Sequence, residues 1–83
     1  MRRLDYILVA QTLAQAYNEA RTEPIRGITL TVQQFADNLY IDNANFDKRM
    51  FIDNIALYCV NERAGRALEQ LKAEYEPQEV TVF

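Results

Sequence analysis

Apolar side chains recur every three or four residues along most of the chain, which is the spacing of amphipathic helices. The first such segment begins at Arg3 and continues to about Arg21, with Leu4 and Leu8 assigned to its buried stripe. It ends before Pro24, because the residue preceding a proline is disfavoured in the helical conformation. The whole pattern predicts helices over residues 3–21, 32–41, 44–60 and 62–76, followed by a tail over 77–83.

The junction between the third and fourth segments has two interpretations. The apolar spacing is interrupted at Asn61 and resumes at Ala64, so the chain could continue as one helix or bend there. An unbroken helix over 44–76 would be about 50 Å long at roughly 1.5 Å per residue, which is long for one small domain. We therefore expect a bend, and a compact all-α domain of three to four helices.

The helix starts are predicted from capping residues. Thr31, with Gln34 three residues later, matches the capping box and predicts that the second helix begins there. Asn43 or Asn45 could cap the third helix, and Asp47 would then lie in its first turn, where a negative charge suits the helix dipole.

Two segments prefer an extended chain because they are rich in β-branched residues. These are 28–32 and the tail 79–83, and together they could form a short two-stranded ribbon. Two other interpretations of the tail remain open. It could be disordered, or it could add as a strand to a partner's sheet, with Val82 or Phe83 in a pocket.

Phe46 and Phe51 are predicted to be core residues, with Tyr6 packed near them. The apolar stripe of the last helix either covers the core or pairs with its copy in a homodimer. Arg63, together with the other charged residues of that helix, is expected on a solvated face. The candidate partner or dimer surface comprises Ala64, Leu68, Leu71, Tyr75, Val82 and Phe83.

Composition removes most kinds of catalytic chemistry. The chain has 83 residues, no His and one Cys, so His-based triads and Cys-rich metal sites are excluded. Cys59 lies on an apolar stretch and is predicted to be a buried, inert thiol. The loop from Asp42 to Asp47 lacks the Gly and Glu of a calcium-binding EF-hand and is better explained by helix capping. We predict no catalytic, cofactor-binding or metal-binding residue and no cofactor, so the protein is expected not to be an enzyme.

The net charge of −3 is distributed unevenly along the chain. Residues 1–31 carry four basic and three acidic side chains, whereas residues 32–83 carry five basic and nine acidic ones. No Lys/Arg stripe is present, so nucleic-acid binding is disfavoured. The sequence also predicts no export signal and no membrane-spanning segment. A cytoplasmic location is expected, with a single Cys suited to a reducing compartment.

Two motifs resemble those of a group of short bacteriophage proteins to which no function is assigned. The first runs from Asp5-Tyr6 to Ala10, and the second is Asp42-Asn43-Ala44-Asn45-Phe46-Asp47-Lys48-Arg49-Met50-Phe51. The resemblance covers about residues 4–58. This chain has Ala44 where those proteins usually have Pro, and it continues well beyond the point where they end. The resemblance implies a viral origin and no mechanism.

These observations lead to one expected function and two alternatives. We expect a small, non-enzymatic, phage-encoded protein that acts by protein–protein contact in the host cytoplasm, such as an inhibitor of a host defence system or an accessory factor. One alternative is a nucleic-acid-associated regulator that uses Arg2, Arg3, Arg21 and Arg26. The other alternative is a minor structural component of the virion.

Overall fold

Four helices make up the regular structure of residues 3–75, which are the residues that the computed structural model describes. They are α1 (Arg3–Glu19), α2 (Arg26–Asp42), α3 (Lys48–Tyr58) and α4 (Glu62–Glu74). The predicted all-α, four-helix architecture is confirmed. Within the described range, no helix is both long enough and apolar enough to cross a membrane.

The helices alternate in direction along the chain. The N-terminal part of α1 lies beside the start of α3, where the rings of Tyr6 and Phe46 are 5.1 Å apart between centroids. At the other end of α1, the side chain of Asn18 bonds to the backbone of Tyr58 and Val60, just past α3. Helices α1 and α3 are therefore parallel, and α3 packs against all three other helices.

The core lies among the four helices and contains Phe46 and Phe51, as predicted. The two rings are 5.4 Å apart and tilted, which is a favourable aromatic geometry. The largest fully buried side chains come from all four helices, and they are Tyr17, Ile52, Ile55, Leu68 and Val32.

The predicted extended segment 28–32 is wrong, because these residues lie inside α2. Val32 is fully buried and Ile28 is half-buried one turn earlier, so helical packing places both against the core. Thr31 is not a cap, since its hydroxyl donates to the carbonyl of Gly27 within the helix. Tertiary burial thus overrides the local β preference. The ribbon loses its first strand, and the tail over 79–83 lies outside the described residues.

Helix α3 begins at Lys48, later than the predicted start at residue 44, and Asp47 is its N-cap. The Asp47 carboxylate accepts a hydrogen bond of 3.0 Å from the backbone N–H of Met50. Asn43 instead closes a turn, where its side-chain oxygen accepts from the N–H of Asn45 at 3.0 Å. This turn lets Phe46 enter the core before the helix begins.

The predicted bend near Asn61 is confirmed as a break between α3 and α4. Asn61 caps α4, since its side-chain oxygen accepts from the N–H of Arg63 at 2.9 Å and from that of Ala64 at 3.3 Å. Its side-chain nitrogen donates to the carbonyls of Tyr17 and Ala20 at the end of α1. One side chain therefore satisfies backbone groups at the start of α4 and at the end of α1.

Candidate interaction surfaces

The candidate surface predicted on α4 is mostly buried. Ala64, Leu68 and Leu71 are 0%, 1% and 4% exposed, so the stripe covers the core of the monomer and does not form an open face. Tyr75 is half-buried. Val82 and Phe83 lie outside the described residues. A surface on α4 must therefore use the other edge of that helix.

Tyr75 holds the C-terminal end of α4 against α2 and α3. Its hydroxyl donates to Asp37 Oδ1 at 3.0 Å, and its carbonyl accepts from Arg49 at 3.4 Å. Burial, followed by the hydrogen bond to Asp37 and the negative charges of Asp37 and Glu74, raises the pKa of Tyr75 well above its usual value. The phenol therefore remains a neutral donor at physiological pH.

The Lys48 ammonium lies between two tyrosine rings in the same cluster. Its nitrogen is 4.7 Å from the ring centroid of Tyr40 and 4.8 Å from that of Tyr75. It is also 3.1 Å from Asp37 Oδ1, the oxygen that accepts from Tyr75. Because these groups are paired with one another, the cluster fixes the fold at this end of the bundle.

Arg63 holds the opposite end of the bundle and is not on the solvated face that the sequence predicts. Its guanidinium donates to the carbonyls of Ala20, Arg21 and Glu23 at 2.9, 3.0 and 2.9 Å. These carbonyls follow the C-terminus of α1, where a positive charge suits the helix dipole. The mixed charge pattern of α4 gave no signal for this contact.

Cys59 and the polar loop before α3 serve structural roles in the described structure. Burial raises the pKa of the Cys59 thiol, so the thiolate is disfavoured at neutral pH. Asn43 and Asp47 are engaged in a turn and a cap, as described above. Among residues 3–75, no group of three or more His, Cys, Asp or Glu side chains is arranged to hold a metal ion.

The outer face of α1 carries two exposed leucines. Leu4 is 76% exposed and Leu8 is 62% exposed, so their assignment to the buried stripe is wrong. The reason is that Ala10, Leu13 and Tyr17 already fill the inward face of the helix. The exposed residues of α1 are Leu4, Asp5, Leu8, Gln11, Thr12, Gln15 and Glu19.

This outer face combines an apolar patch with negative charge. Leu4 and Leu8 are one helical turn apart, so their side chains are neighbours. Asp5 and Glu19 are the charged residues of the face, and no Lys or Arg is exposed on α1 among residues 4–19. The face is therefore complementary to a surface that is apolar at its centre and basic where it meets Glu19.

A second surface is an open groove of about 720 Å³ between α3 and α4. Four residues with small or aliphatic side chains form its apolar lining, and they are Ile52, Ala56, Gly65 and Leu68. The polar lining consists of Asp53, Glu62, Arg66, Glu69, Gln70 and Lys72. Lys72 and Asp53 form an ion pair of 2.7 Å that joins the two helices. The groove thus has an apolar strip bordered by charges of both signs.

Comparison with known proteins gives no further guidance. No family model, no curated protein and no solved structure matches this chain. Other large apolar side chains are exposed as well, among them Ile41, Leu57 and Val60. The face of α1 and the groove between α3 and α4 each combine apolar area with charge, and the proposals below concern these two surfaces.

Proposed function

We propose that this protein acts by protein–protein contact and that its partner binds the outer face of α1. The observation that carries the proposal is the exposure of Leu4 and Leu8, at 76% and 62%, on adjacent turns of one helix. A single exposed leucine is ordinary, but neighbouring exposed leucines form an apolar patch that loses its contact with water when a partner covers it.

The chemistry of the face indicates what kind of partner fits. An amphipathic helix would place its apolar positions, spaced three or four residues apart, against Leu4 and Leu8. A basic residue flanking that apolar stripe would face Glu19. Such charge complementarity favours the correct partner and speeds association at low ionic strength. The proposed partner is thus a protein that presents a basic amphipathic helix.

The more specific proposal is that the chain is a phage-encoded, non-enzymatic factor of the host cytoplasm that blocks or scaffolds a host protein. The resemblance of residues 4–58 to short phage proteins supports the viral origin. The absence of His from the sequence supports a role without acid–base catalysis at neutral pH. Inhibition of a host defence system is one such role.

The test is an affinity pull-down from infected bacterial cells with the wild-type chain and two variants. Leu8→Glu places a charge in the centre of the patch. Leu30→Glu is the matched control, because it makes the same change at another exposed leucine, on α2. We expect a host or phage protein that is captured by wild type and by Leu30→Glu and lost with Leu8→Glu. Circular dichroism of each variant establishes that the helices are intact.

Three results would contradict the proposal. Equal capture of the same proteins by Leu8→Glu and wild type would remove the α1 face from consideration. Capture of nucleic acid instead of protein, with affinity that falls steeply as salt increases, would support the regulator that the sequence disfavours. Detection of the chain in purified particles would instead support a structural role in the virion.

A further inference from the structure

We propose that a second copy of this chain packs its α4 antiparallel against the groove between α3 and α4, forming a twofold-symmetric dimer. The surface is distinct from the α1 face, so the inference does not depend on the proposed function. It uses the exposed, charged edge of α4, and of the buried stripe of Ala64, Leu68 and Leu71, Leu68 alone reaches the groove, where it lies at the floor.

Gly65 is the first observation that points to an external helix. It lies inside α4, where glycine costs about 1 kcal/mol relative to alanine. No internal contact requires a glycine here, since a Cβ added at Gly65 would meet no atom within 4 Å, and its φ is not positive. Its lack of a side chain does let another helix approach closely, and Ala56 provides the same small surface on the α3 side of the groove.

The charges along this edge are the second observation. Glu62, Arg66 and Glu69 alternate in sign at steps of four and three residues, which places them on one face of α4. All three line the groove. In the described part of the chain, the ion pairs are Lys48–Asp37 and Lys72–Asp53, so these three charges form no ion pair with another described residue.

The charge pattern favours a second copy over an unrelated partner because it is complementary to itself when reversed. If two α4 helices cross antiparallel at Gly65, Arg66 lies about two residues, or roughly 3 Å along the axis, from Glu62 of the second copy. The twofold axis repeats this pairing, so one interface contains two Glu–Arg pairs. A basic helix would instead leave Arg66 facing a like charge.

The test is sedimentation equilibrium of the full chain from about 1 µM to 1 mM, where weak protein dimers are detected. We expect a monomer–dimer equilibrium for the wild type. Gly65→Gln should abolish the dimer by filling the groove, while improving helix propensity in the monomer. Gly27→Gln is the matched control, because Gly27 is also helical and equally open, and lies on α2 away from the groove.

Exchanging the charges of α4 tests which residues pair across the interface. Arg66→Glu should weaken the dimer about tenfold or more, since two attractive pairs become repulsive. A chain carrying Glu62→Arg and Glu69→Arg should likewise remain monomeric, and mixing it with Arg66→Glu should restore dimers as heterodimers. These exposed substitutions test the interface even if Gly65→Gln does not fold. A wild type that stays monomeric at 1 mM, or a dimer that all of these variants leave unchanged, would overturn the proposal.

Discussion

Helices α1 and α4 occupy comparable positions, since each packs against both α2 and α3, yet their exposed sides differ in chemistry. The outer face of α1 has adjacent leucines and no exposed base among its described side chains. The outer edge of α4 has an apolar strip bordered by Glu62, Arg66 and Glu69. A face of one sign favours a different molecule of opposite charge, whereas an edge of alternating sign favours its own copy. The contrast separates a target-binding surface from a self-association surface.

The largest expected effect comes from placing a charge on the buried side of α4, in comparison with the same charge on the exposed side of α1. Leu68→Glu places a carboxylate in the fully buried face of α4 and should destabilise the protein by more than about 4 kcal/mol, because the charge has no partner there. Leu8→Glu makes the same change on the exposed face of α1 and should shift stability by only about 0.5 kcal/mol. Urea denaturation measures both. Equal destabilisation by the two variants would show that Leu8 belongs to the core.

Phe46 tests the packing between α1 and α3. Its ring is buried between Tyr6 and Phe51, so Phe46→Ala should lower the free energy of unfolding by about 3–5 kcal/mol. Met50, four residues later, is 60% exposed, and Met50→Ala should cost less than about 1 kcal/mol. Thermal melts of the two variants compare the positions. A Phe46→Ala protein that melts like wild type would move Phe46 to the surface.

Arg63 tests the direct connection between α1 and α4. Arg63→Ala removes the donor to three carbonyls beyond α1 and should cost about 1–3 kcal/mol. Arg26→Ala is the control, because Arg26 is exposed and lies outside the groove between α3 and α4, so the change should alter stability by less than about 0.5 kcal/mol. Chemical denaturation distinguishes them. If both variants lost the same stability, the loss would come from removing a positive charge and not from removing the hydrogen bonds to the carbonyls.

Tyr75 is expected to give the smallest effect, and the pH dependence of that effect appears only in alkaline solution. The pKa of Tyr75 is raised in the folded protein, so its stabilising contribution is present below the unfolded value of about 10 and is lost as pH rises above that. Tyr75→Phe should lower stability at pH 7 but flatten its decline between about pH 9.5 and 11.5. The pKa of Tyr17 is also raised, but Tyr17 is present in both proteins, so the difference isolates Tyr75. The prediction would be contradicted if the stability of the wild type and that of Tyr75→Phe fell equally with pH over this range.

Hydrophobic periodicity predicted three to four helices and the core position of Phe46 and Phe51, and the length of an unbroken helix favoured the bend near Asn61. It failed at 28–32, because the local preference of β-branched residues was weaker than the burial of Val32 in α2. It also placed Leu4 and Leu8 in the core. Leu4 lies nine residues from Leu13 and Leu8 nine residues from Tyr17, and at 3.6 residues per turn each pair falls on opposite faces of the helix. A stricter use of the helical period would have placed both leucines outside.

The candidate surfaces were less predictable than the fold. The spacing of apolar residues on α4 predicted its stripe correctly, but only tertiary contacts decide whether such a stripe covers the core or faces a partner. The roles of Arg63 and Asn61 depend on carbonyls more than 35 residues away in sequence. Gly65 carried a signal that could have been used, since an interior glycine in a helix without a turn needs an explanation from packing.

The most direct test of the account is amide chemical-shift mapping of the labelled protein while the captured partner is added. We predict shifts at the outer face of α1, centred on Leu4 and Leu8 and extending toward Gln15, with weakening of the complex at high salt. The amides of Glu62 to Glu69 should stay unchanged at a constant concentration of this chain. Shifts confined to α4, with α1 unaffected, would contradict the assignment of the two surfaces.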